Sequence, residues 1–142
     1  MIQCCIFDLD GTLLNTLKAL TYTTNQVLEH FGLGPVDEEH MKHFVGDGYK
    51  MQLKRALCYC GDEQEEHLEE SCALYTRLFA EHCLYQVRAY EGIPELLSGL
   101  KERGIRIAVL SNKPHARTVE NIEAIFGKGY FDYIAGEQPG VP

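Results

Sequence analysis

The sequence predicts an α/β fold: an open parallel sheet with a large helical insertion after its first strand. Short apolar runs at 2–7, 105–110 and 131–135 have the length of buried strands. Helical patterns at 93–103 and 115–126 precede the second and third of these runs. Helices that alternate with short apolar strands are typical of a parallel sheet joined by right-handed crossovers. The first run is expected to be buried on both faces of the sheet.

A long helical block separates the first strand from the rest of this pattern. Its apolar spacing and its glycine breaks indicate four helices, at 16–31, 37–44, 49–60 and 62–84. Asp62 is expected to cap the last of them, whose acidic first turns suit the positive end of a helix dipole. Because the block is too long for one crossover, we expect two domains: an α/β core formed by 1–14 and 88–142, and an all-helical cap at 15–87.

The composition and the charge narrow the classes of function. The chain has 142 residues, of which 45% are hydrophobic and 24% charged, an ordinary globular composition. Its formal net charge of −8 argues against nucleic-acid binding through a broad basic face. A small anionic substrate is compatible with this charge, because a bound metal ion reverses the sign inside a local pocket.

Neither the start of the chain nor its cysteines indicate export. No apolar run approaches the roughly 18 residues that a membrane span needs, and the first residues lack the basic start of a signal peptide. The six cysteines have neither zinc-site nor redox-pair spacing. We therefore expect reduced thiols, no membrane partner and a cytoplasmic location.

Two aspartates follow the first predicted strand. Asp8 and Asp10 are two positions apart, so in an extended segment their side chains face the same way. Two carboxylates in one pocket repel each other, and Mg²⁺, which prefers oxygen ligands, is the simplest compensation. Gly11 allows a tight turn, and the Thr12 hydroxyl can lock it. An isolated Asp-Gly is more often a plain polar turn, so the interpretation depends on what lies nearby.

The second predicted strand also ends in polar residues, which we expect to form a loop at 111–114. Ser111 can donate to an anionic oxygen, and Asn112 can donate through its amide or hold the loop. Backbone N–H groups at the start of the following helix can add to an anion site. By itself Ser111-Asn112 is better explained as a helix N-cap. Ligands of open parallel sheets bind at the carboxyl ends of the strands, and this favours a shared site with the aspartates.

Two segments resemble known signatures. Residues 7–14, Phe-Asp-Leu-Asp-Gly-Thr-Leu-Leu, resemble the first signature of the haloacid dehalogenase superfamily of phosphatases, and 111–113, Ser-Asn-Lys, is similar to its second. The helical block occupies the position of that family's cap, and 92–97 resembles the segment where the chain re-enters the Rossmann-like core. The likeness is greatest to the phosphoglycolate-phosphatase-like branch and covers the whole chain.

The resemblance implies phosphoryl transfer through an aspartyl phosphate. Asp8 would be the nucleophile, and Asp10 would protonate the leaving oxygen and then activate the hydrolytic water. Mg²⁺ would be held by the Asp8 carboxylate and the Asp10 backbone carbonyl. The implied residues around the substrate phosphate are Gly11, Thr12, Ser111, Asn112 and Lys113. In the family the position of Lys113 neighbours the substrate and is distinct from the lysine that steadies the nucleophile.

A glycine-flanked segment of the cap corresponds to a loop that relatives place over the active site. The resemblance makes Gly46, Tyr49 and Lys50 cap-loop residues, able to close and exclude water. Lys50, Lys54 or Arg55 are candidates to meet a carboxylate of the substrate. The alternative, that these three charges are simply solvated on a helix surface, stays open.

The family pattern continues beyond what this chain contains. A steadying lysine, further acidic metal ligands and two more strands are expected after the point where the sequence ends at Pro142. We therefore expect the chain to be part of a longer protein, to be nearly inactive alone, and to leave the apolar edge of 2–7 open.

The function expected for the intact protein is Mg²⁺-dependent hydrolysis of a small phosphorylated metabolite. 2-Phosphoglycolate is the first candidate substrate. Two alternatives remain: a phosphosugar mutase of the same superfamily, and a non-catalytic fragment that associates with itself through its exposed sheet edge.

Overall fold

The computed structural model describes residues 1–140 and divides the chain into two compact units. One unit is Thr16–Val87, here called the helical unit; the other, the sheet unit, combines Met1–Asn15 with the chain from Arg88 onward. Along the chain the elements are β1 (Cys4–Phe7), β2 (Leu14–Asn15), α1 (Leu17–His30), α2 (Glu38–Phe44), α3 (Tyr49–Tyr59), α4 (Leu68–His82), β3 (Arg88–Ala89), α5 (Ile93–Glu102), β4 (Arg106–Pro114), α6 (His115–Phe126) and β5 (Tyr133–Glu137). None of these helices combines the length and the apolar character that crossing a bilayer requires.

The sheet unit is built on a parallel three-stranded sheet with the order β1-β4-β5. Ile6 pairs with Ala108, which pairs in turn with Tyr133 on the other side. The α/β prediction is confirmed. A short antiparallel pair, β2 with β3, joins the two segments that flank the insertion, with Leu14 opposite Ala89. This pair is not predictable from the sequence, because two residues are too few to show an alternating pattern.

One face of the described sheet is covered and the other is open. Ile107 and Val109 are buried on the covered side, where α5 and α6 pack against β4. On the opposite face Ile6, Leu110 and Tyr133 are 68%, 60% and 67% exposed. The expectation that the first strand is buried on both faces is therefore wrong for residues 1–140. β1 lies at an edge of the described sheet, as expected.

The helical unit has its own core. Helix α1 packs against α2 and α4, and α3 packs against α2 and α4. Its fully buried apolar side chains include Val27, Leu28, Met41, Leu53 and Leu57. A buried polar contact crosses this core: the Gln52 amide nitrogen donates to Thr24 Oγ1 at 3.0 Å and lies 3.2 Å from the Tyr75 hydroxyl. Hydrogen bonding offsets the cost of burying these polar groups among apolar side chains.

The start of α4 differs from the prediction. The helix begins at Leu68, not after Asp62, and a turn precedes it. The Asp62 carboxylate accepts hydrogen bonds from the backbone N–H of Glu66 and of His67, both at 3.0 Å. Glu65 has a left-handed backbone (φ 59°), which interrupts a right-handed helix. Asp62 therefore stabilises the turn, and the acidic residues of the first helical turn are Glu69 and Glu70.

The last two strands differ in extent from the predictions. β4 continues to Pro114, so 111–114 belongs to the strand and is not a free loop. Pro114 pairs with Glu137, and the register shifts between Leu110 and Pro114, which marks a local irregularity in the strand. β5 is accordingly displaced by two residues from the predicted 131–135. Pairing with β5 therefore fixes the backbone at the polar end of β4, residues 111–114.

Candidate functional site

The segment after β1 is a compact turn. The carbonyl oxygen of Leu9 accepts hydrogen bonds from the backbone N–H groups of three residues, Thr12, Leu13 and Leu14, at 3.0 to 3.2 Å. Gly11 has a φ of 78° and donates its N–H to Leu14 at 3.0 Å. Glycine adopts this left-handed conformation without steric cost, and for that reason the Asp-Gly step suits this turn.

Both aspartate carboxylates are engaged at the carboxyl end of β1. Asp8 Oδ1 accepts a hydrogen bond from the backbone N–H of Leu9 at 2.8 Å. Asp10 Oδ1 lies 2.8 Å from the ammonium nitrogen of Lys113. The second contact reaches from the turn after β1 to β4. Register explains it: Phe7 pairs with Val109 in the parallel sheet, so the two strands end side by side.

Ser111 and Asn112 lie at the end of β4. Ser111 is only 8% exposed, and its Oγ accepts a hydrogen bond from the backbone N–H of Lys113 at 3.1 Å. Because the oxygen already acts as an acceptor, the hydroxyl proton is the part of Ser111 suited to an anionic oxygen. Asn112 is exposed. Neither residue is the N-cap of α6, since Pro114 occupies that position.

Lys113 joins three elements of the sheet unit. Its side chain is 3% exposed and contacts Asp10 on one side. On the other side its ammonium group donates to Asn121 Oδ1 of α6 at 2.8 Å. A buried ammonium group is costly unless oxygens surround it, and these two oxygens provide that compensation. The structure thus links both sequence signatures through one buried cation.

Helix α6 contributes to the site through residues that were not among the predicted site residues. The apolar spacing within 115–126 indicates a buried face with Val119, Ile122 and Phe126, whereas the buried residues of the helix are Thr118, Asn121 and Ile122. The Thr118 hydroxyl donates to the Pro114 carbonyl at 3.0 Å. A signal existed in the sequence: Thr118 lies three positions before Asn121 and four before Ile122, and residues at these spacings share a helical face.

The oxygen donors of the site can be compared with the ligands that Mg²⁺ and Zn²⁺ prefer. Asp8 and Asp10 provide oxygen donors, and within residues 1–140 no group of three or more His, Cys, Asp or Glu side chains is arranged to hold a metal. Mg²⁺ is commonly bound by one or two carboxylates and keeps several waters, so this donor set fits it. Zn²⁺, which prefers three or four protein ligands of nitrogen or sulfur, does not fit.

The predicted cap-loop residues belong to the helical unit. Gly46 lies between α2 and α3 with a φ of 113°, and Lys50 is exposed. Tyr49 begins α3, and its ring stacks on that of Tyr75, with centroids 5.7 Å apart. Tyr49 therefore has a packing role inside this unit. The role of the three residues toward a substrate stays a prediction.

Two basic residues considered for a substrate carboxylate have partners within the helical unit. Lys54 forms an ion pair with Glu65 at 2.9 Å. Arg55 donates to the Phe44 carbonyl at 3.0 Å and pairs with Asp47 at 2.7 Å. These contacts favour a structural role for both residues.

A parallel sheet with paired aspartates after one strand, and Ser-Asn-Lys at the end of the neighbouring strand, defines a Rossmann-like α/β core of the type that the sequence signatures suggested. The family model described as haloacid dehalogenase-like hydrolase matches residues 5–139. The chain therefore belongs to this family, and the resemblance noted in the sequence is confirmed.

The chain is similar to several bacterial phosphatases. It is 36% identical over 142 residues to a phosphoglycolate phosphatase of Mannheimia succiniciproducens, covering 94% of this chain and 60% of that one. It is 33% identical over 114 residues to an N-acetylmuramic acid 6-phosphate phosphatase of Pseudomonas aeruginosa, covering 80% and 49%. The crystal structure of a predicted phosphoglycolate phosphatase from Haemophilus somnus superposes with a TM-score of 0.88 at 25% identity, over 96% of this chain and 63% of that one. The chain thus spans about half to three fifths of the length of these curated relatives.

Proposed function

We propose that the protein containing this chain hydrolyses small phosphomonoesters through an aspartyl phosphate on Asp8. The observation that carries the proposal is the 2.8 Å contact between Asp10 and Lys113. It joins the turn after β1 to the end of β4, so that the two sequence signatures share one edge of the sheet. The names of the relatives support the same class of reaction.

In the proposed first step, a carboxylate oxygen of Asp8 attacks phosphorus while the bond from phosphorus to the alcohol oxygen breaks. Asp10 gives its proton to the departing oxygen, which leaves as the alcohol. In the second step Asp10 takes a proton from water as the water oxygen attacks phosphorus. The bond between phosphorus and Asp8 then breaks, which restores both carboxyl groups and releases inorganic phosphate.

The phosphate would be held by groups at the two strand ends. The Ser111 hydroxyl donates to a phosphoryl oxygen, and Asn112 lies beside it. The N–H groups of Gly11 and Thr12 already donate within the turn, so these residues would shape the space beside the phosphate; a Cβ atom on Gly11 would meet no atom within 4 Å. Mg²⁺ would be held by the Asp8 carboxylate and the Asp10 backbone carbonyl, and it supplies positive charge that offsets the repulsion between carboxylate and phosphate.

The substrate proposal is narrower than the reaction class. 2-Phosphoglycolate is the first candidate, because several relatives are named for it. The muramic acid phosphatase shows that a related chain acts on a different phosphate ester. A panel of substrates must therefore include both a phosphorylated carboxylic acid, such as 2-phosphoglycolate, and a sugar phosphate.

A cytoplasmic location and self-association through the edge of β1 stay predictions.

The test uses the protein expressed from its natural coding sequence. Phosphate release is measured from 2-phosphoglycolate, sugar phosphates and p-nitrophenyl phosphate, with Mg²⁺ and after its removal by chelation. Asp8→Asn should lower turnover by at least about 10³-fold, because it removes the nucleophile. Asp37→Asn, a matched substitution in the helical unit, should leave turnover unchanged. Full turnover by Asp8→Asn would refute the proposed chemistry, and phosphate retained on a rearranged sugar would favour a mutase.

A further inference from the structure

Lys113 is placed differently from a residue that reaches for substrate. Its side chain is almost fully buried, and its ammonium nitrogen is 2.8 Å from Asp10 Oδ1 and 2.8 Å from Asn121 Oδ1. The Asp10 side chain is 21% exposed, so the open side of this cluster belongs to the aspartate. Lys113 is therefore positioned to act on a substrate through Asp10 rather than by direct contact.

Asn121 fixes the far side of this contact. It is fully buried on α6, and its amide oxygen accepts from the ammonium group without carrying a negative charge of its own. An acidic residue at 121 would compete with Asp10 for the cation, whereas an apolar one would leave part of the ammonium group uncompensated. An amide accepts from the ammonium group and does not compete with the Asp10 carboxyl group for it.

We propose that Asn121 is a positioning residue that holds the Lys113 ammonium group against Asp10 and thereby fixes the Asp10 carboxyl group at the edge of the site. This inference rests on the proposed function, in which Asp10 passes a proton to the leaving oxygen. A group that transfers a proton must be held within hydrogen-bond distance of its target, so loss of this support weakens the transfer. The substrate phosphate, held by other groups, binds as before.

The competing explanation is purely structural: Asn121 and Lys113 simply attach α6 to β4. A substitution at Thr118 distinguishes this structural role from the proposed positioning role. It lies on the same buried face of α6, and its hydroxyl donates to the carbonyl oxygens of Pro114 and Lys113 at 3.0 and 3.3 Å. Thr118→Val removes a connection between the same helix and strand while leaving in place the ammonium and carboxyl groups of the contact between Lys113 and Asp10.

The experiment compares substrates with different leaving groups. An alkyl phosphate needs a proton on its departing oxygen, whereas p-nitrophenolate is stable enough to leave without one. We measure kcat and KM for the best alkyl phosphomonoester of the panel and for p-nitrophenyl phosphate in wild type, Asn121→Leu and Lys113→Gln. Asn121→Leu should lower kcat for the alkyl ester by about tenfold or more, change kcat for the nitrophenyl ester by less than about threefold, and leave KM for both nearly unchanged.

Two further variants complete the test. The double variant Asn121→Leu/Lys113→Gln should be no slower than Lys113→Gln alone, since both residues act through one contact. Thr118→Val should lower thermal stability without a leaving-group effect. If Asn121→Leu does not fold, Asn121→Ser, which is too short to reach the ammonium group, takes its place with the same expected pattern.

The failures of the two proposals can be told apart. Equal losses for both esters, a rise in KM alone, or the same leaving-group effect in Thr118→Val would overturn the role of Asn121 while hydrolysis itself persists. No hydrolysis of any phosphomonoester by the wild-type protein would overturn the proposed function and, with it, this inference.

Discussion

Gly136 is the position where one added methyl group should do the most local damage. A Cβ atom built on this glycine of β5 would lie 2.6 Å from His115 Cα, from the Lys113 carbonyl oxygen and from Thr118 Oγ1. Folded proteins essentially never show Cβ contacts below 3.0 Å, so the neighbours would have to move by at least 0.4 Å. Two of these atoms are backbone, and they cannot move without displacing the junction between β4 and α6. We expect Gly136→Ala to destabilise the chain by about 1 to 3 kcal/mol, the cost typical of overpacking.

Gly99 provides a matched control. It lies inside α5, and a Cβ atom there would meet no atom within 4 Å. Alanine is the better helix former, so Gly99→Ala should stabilise the chain by about 0.5 to 1 kcal/mol. The same substitution therefore has opposite expected signs at two positions of the same unit.

Urea unfolding of residues 1–142, followed by far-UV circular dichroism, measures both effects. Amide hydrogen exchange along β4 then assigns the change to the sheet unit rather than the helical unit. A Gly136→Ala variant as stable as wild type would show that β5 does not approach α6 this closely. The 3.1 Å hydrogen bond from the Gly136 N–H to His115 Nδ1 is a second sign of this close approach.

Two further predictions concern single side chains. Asp37 accepts hydrogen bonds from the backbone N–H of His40, the larger effect, and from the His40 side chain, and these hold the pKa of Asp37 below its usual 3.8. The Asp37 carboxylate therefore stabilises α2 fully above pH 3.8, and this stabilisation is lost as the pH falls through the lowered pKa. Asp37→Asn should thus be less stable than wild type at neutral pH and should match it in acid, as measured by urea midpoints; a constant difference at all pH values would contradict this. Asp132 accepts a hydrogen bond from the Ile107 N–H at 2.9 Å, so Asp132→Ala should cost about 1 kcal/mol and speed exchange of that amide, whereas Asp132→Asn keeps an acceptor and should do neither.

Elements with a clear period were predictable from sequence. α6 begins at His115 and ends at Phe126, as the spacing and Gly127 indicated, and α2 begins after Asp37, whose carboxylate accepts from the His40 N–H. In each case the signal is local: a glycine or a capping side chain lies next to the boundary. The aspartates after β1 were predictable for the same reason, since their turn is formed by neighbouring residues.

Features set by distant contacts were not predictable. The start of α4 depends on a left-handed residue, Glu65, whose conformation no propensity indicates. The extension of β4 to Pro114 depends on pairing with Glu137, more than twenty residues away. Asn121 belongs to the site only because the Lys113 ammonium group, eight positions earlier in the chain, donates a hydrogen bond to it. Tertiary contacts override local preference at these positions.

Stability alone does not explain the buried Lys113 ammonium group at the end of β4. An exposed pair such as Lys18 with Glu38, at 45% and 44% exposure, is worth about 0 to 1 kcal/mol. Burying an ammonium group costs several kcal/mol, and its attraction to one partly exposed carboxylate recovers that cost only with further hydrogen bonds. A packed apolar side chain at 113 would stabilise the sheet at least as well. Lys113 instead orients the Asp10 carboxyl group: its ammonium group contacts one oxygen of Asp10 and is held in place by Asn121 of α6. The position of Lys113 is therefore better explained by the geometry it imposes on Asp10 than by the stability it contributes.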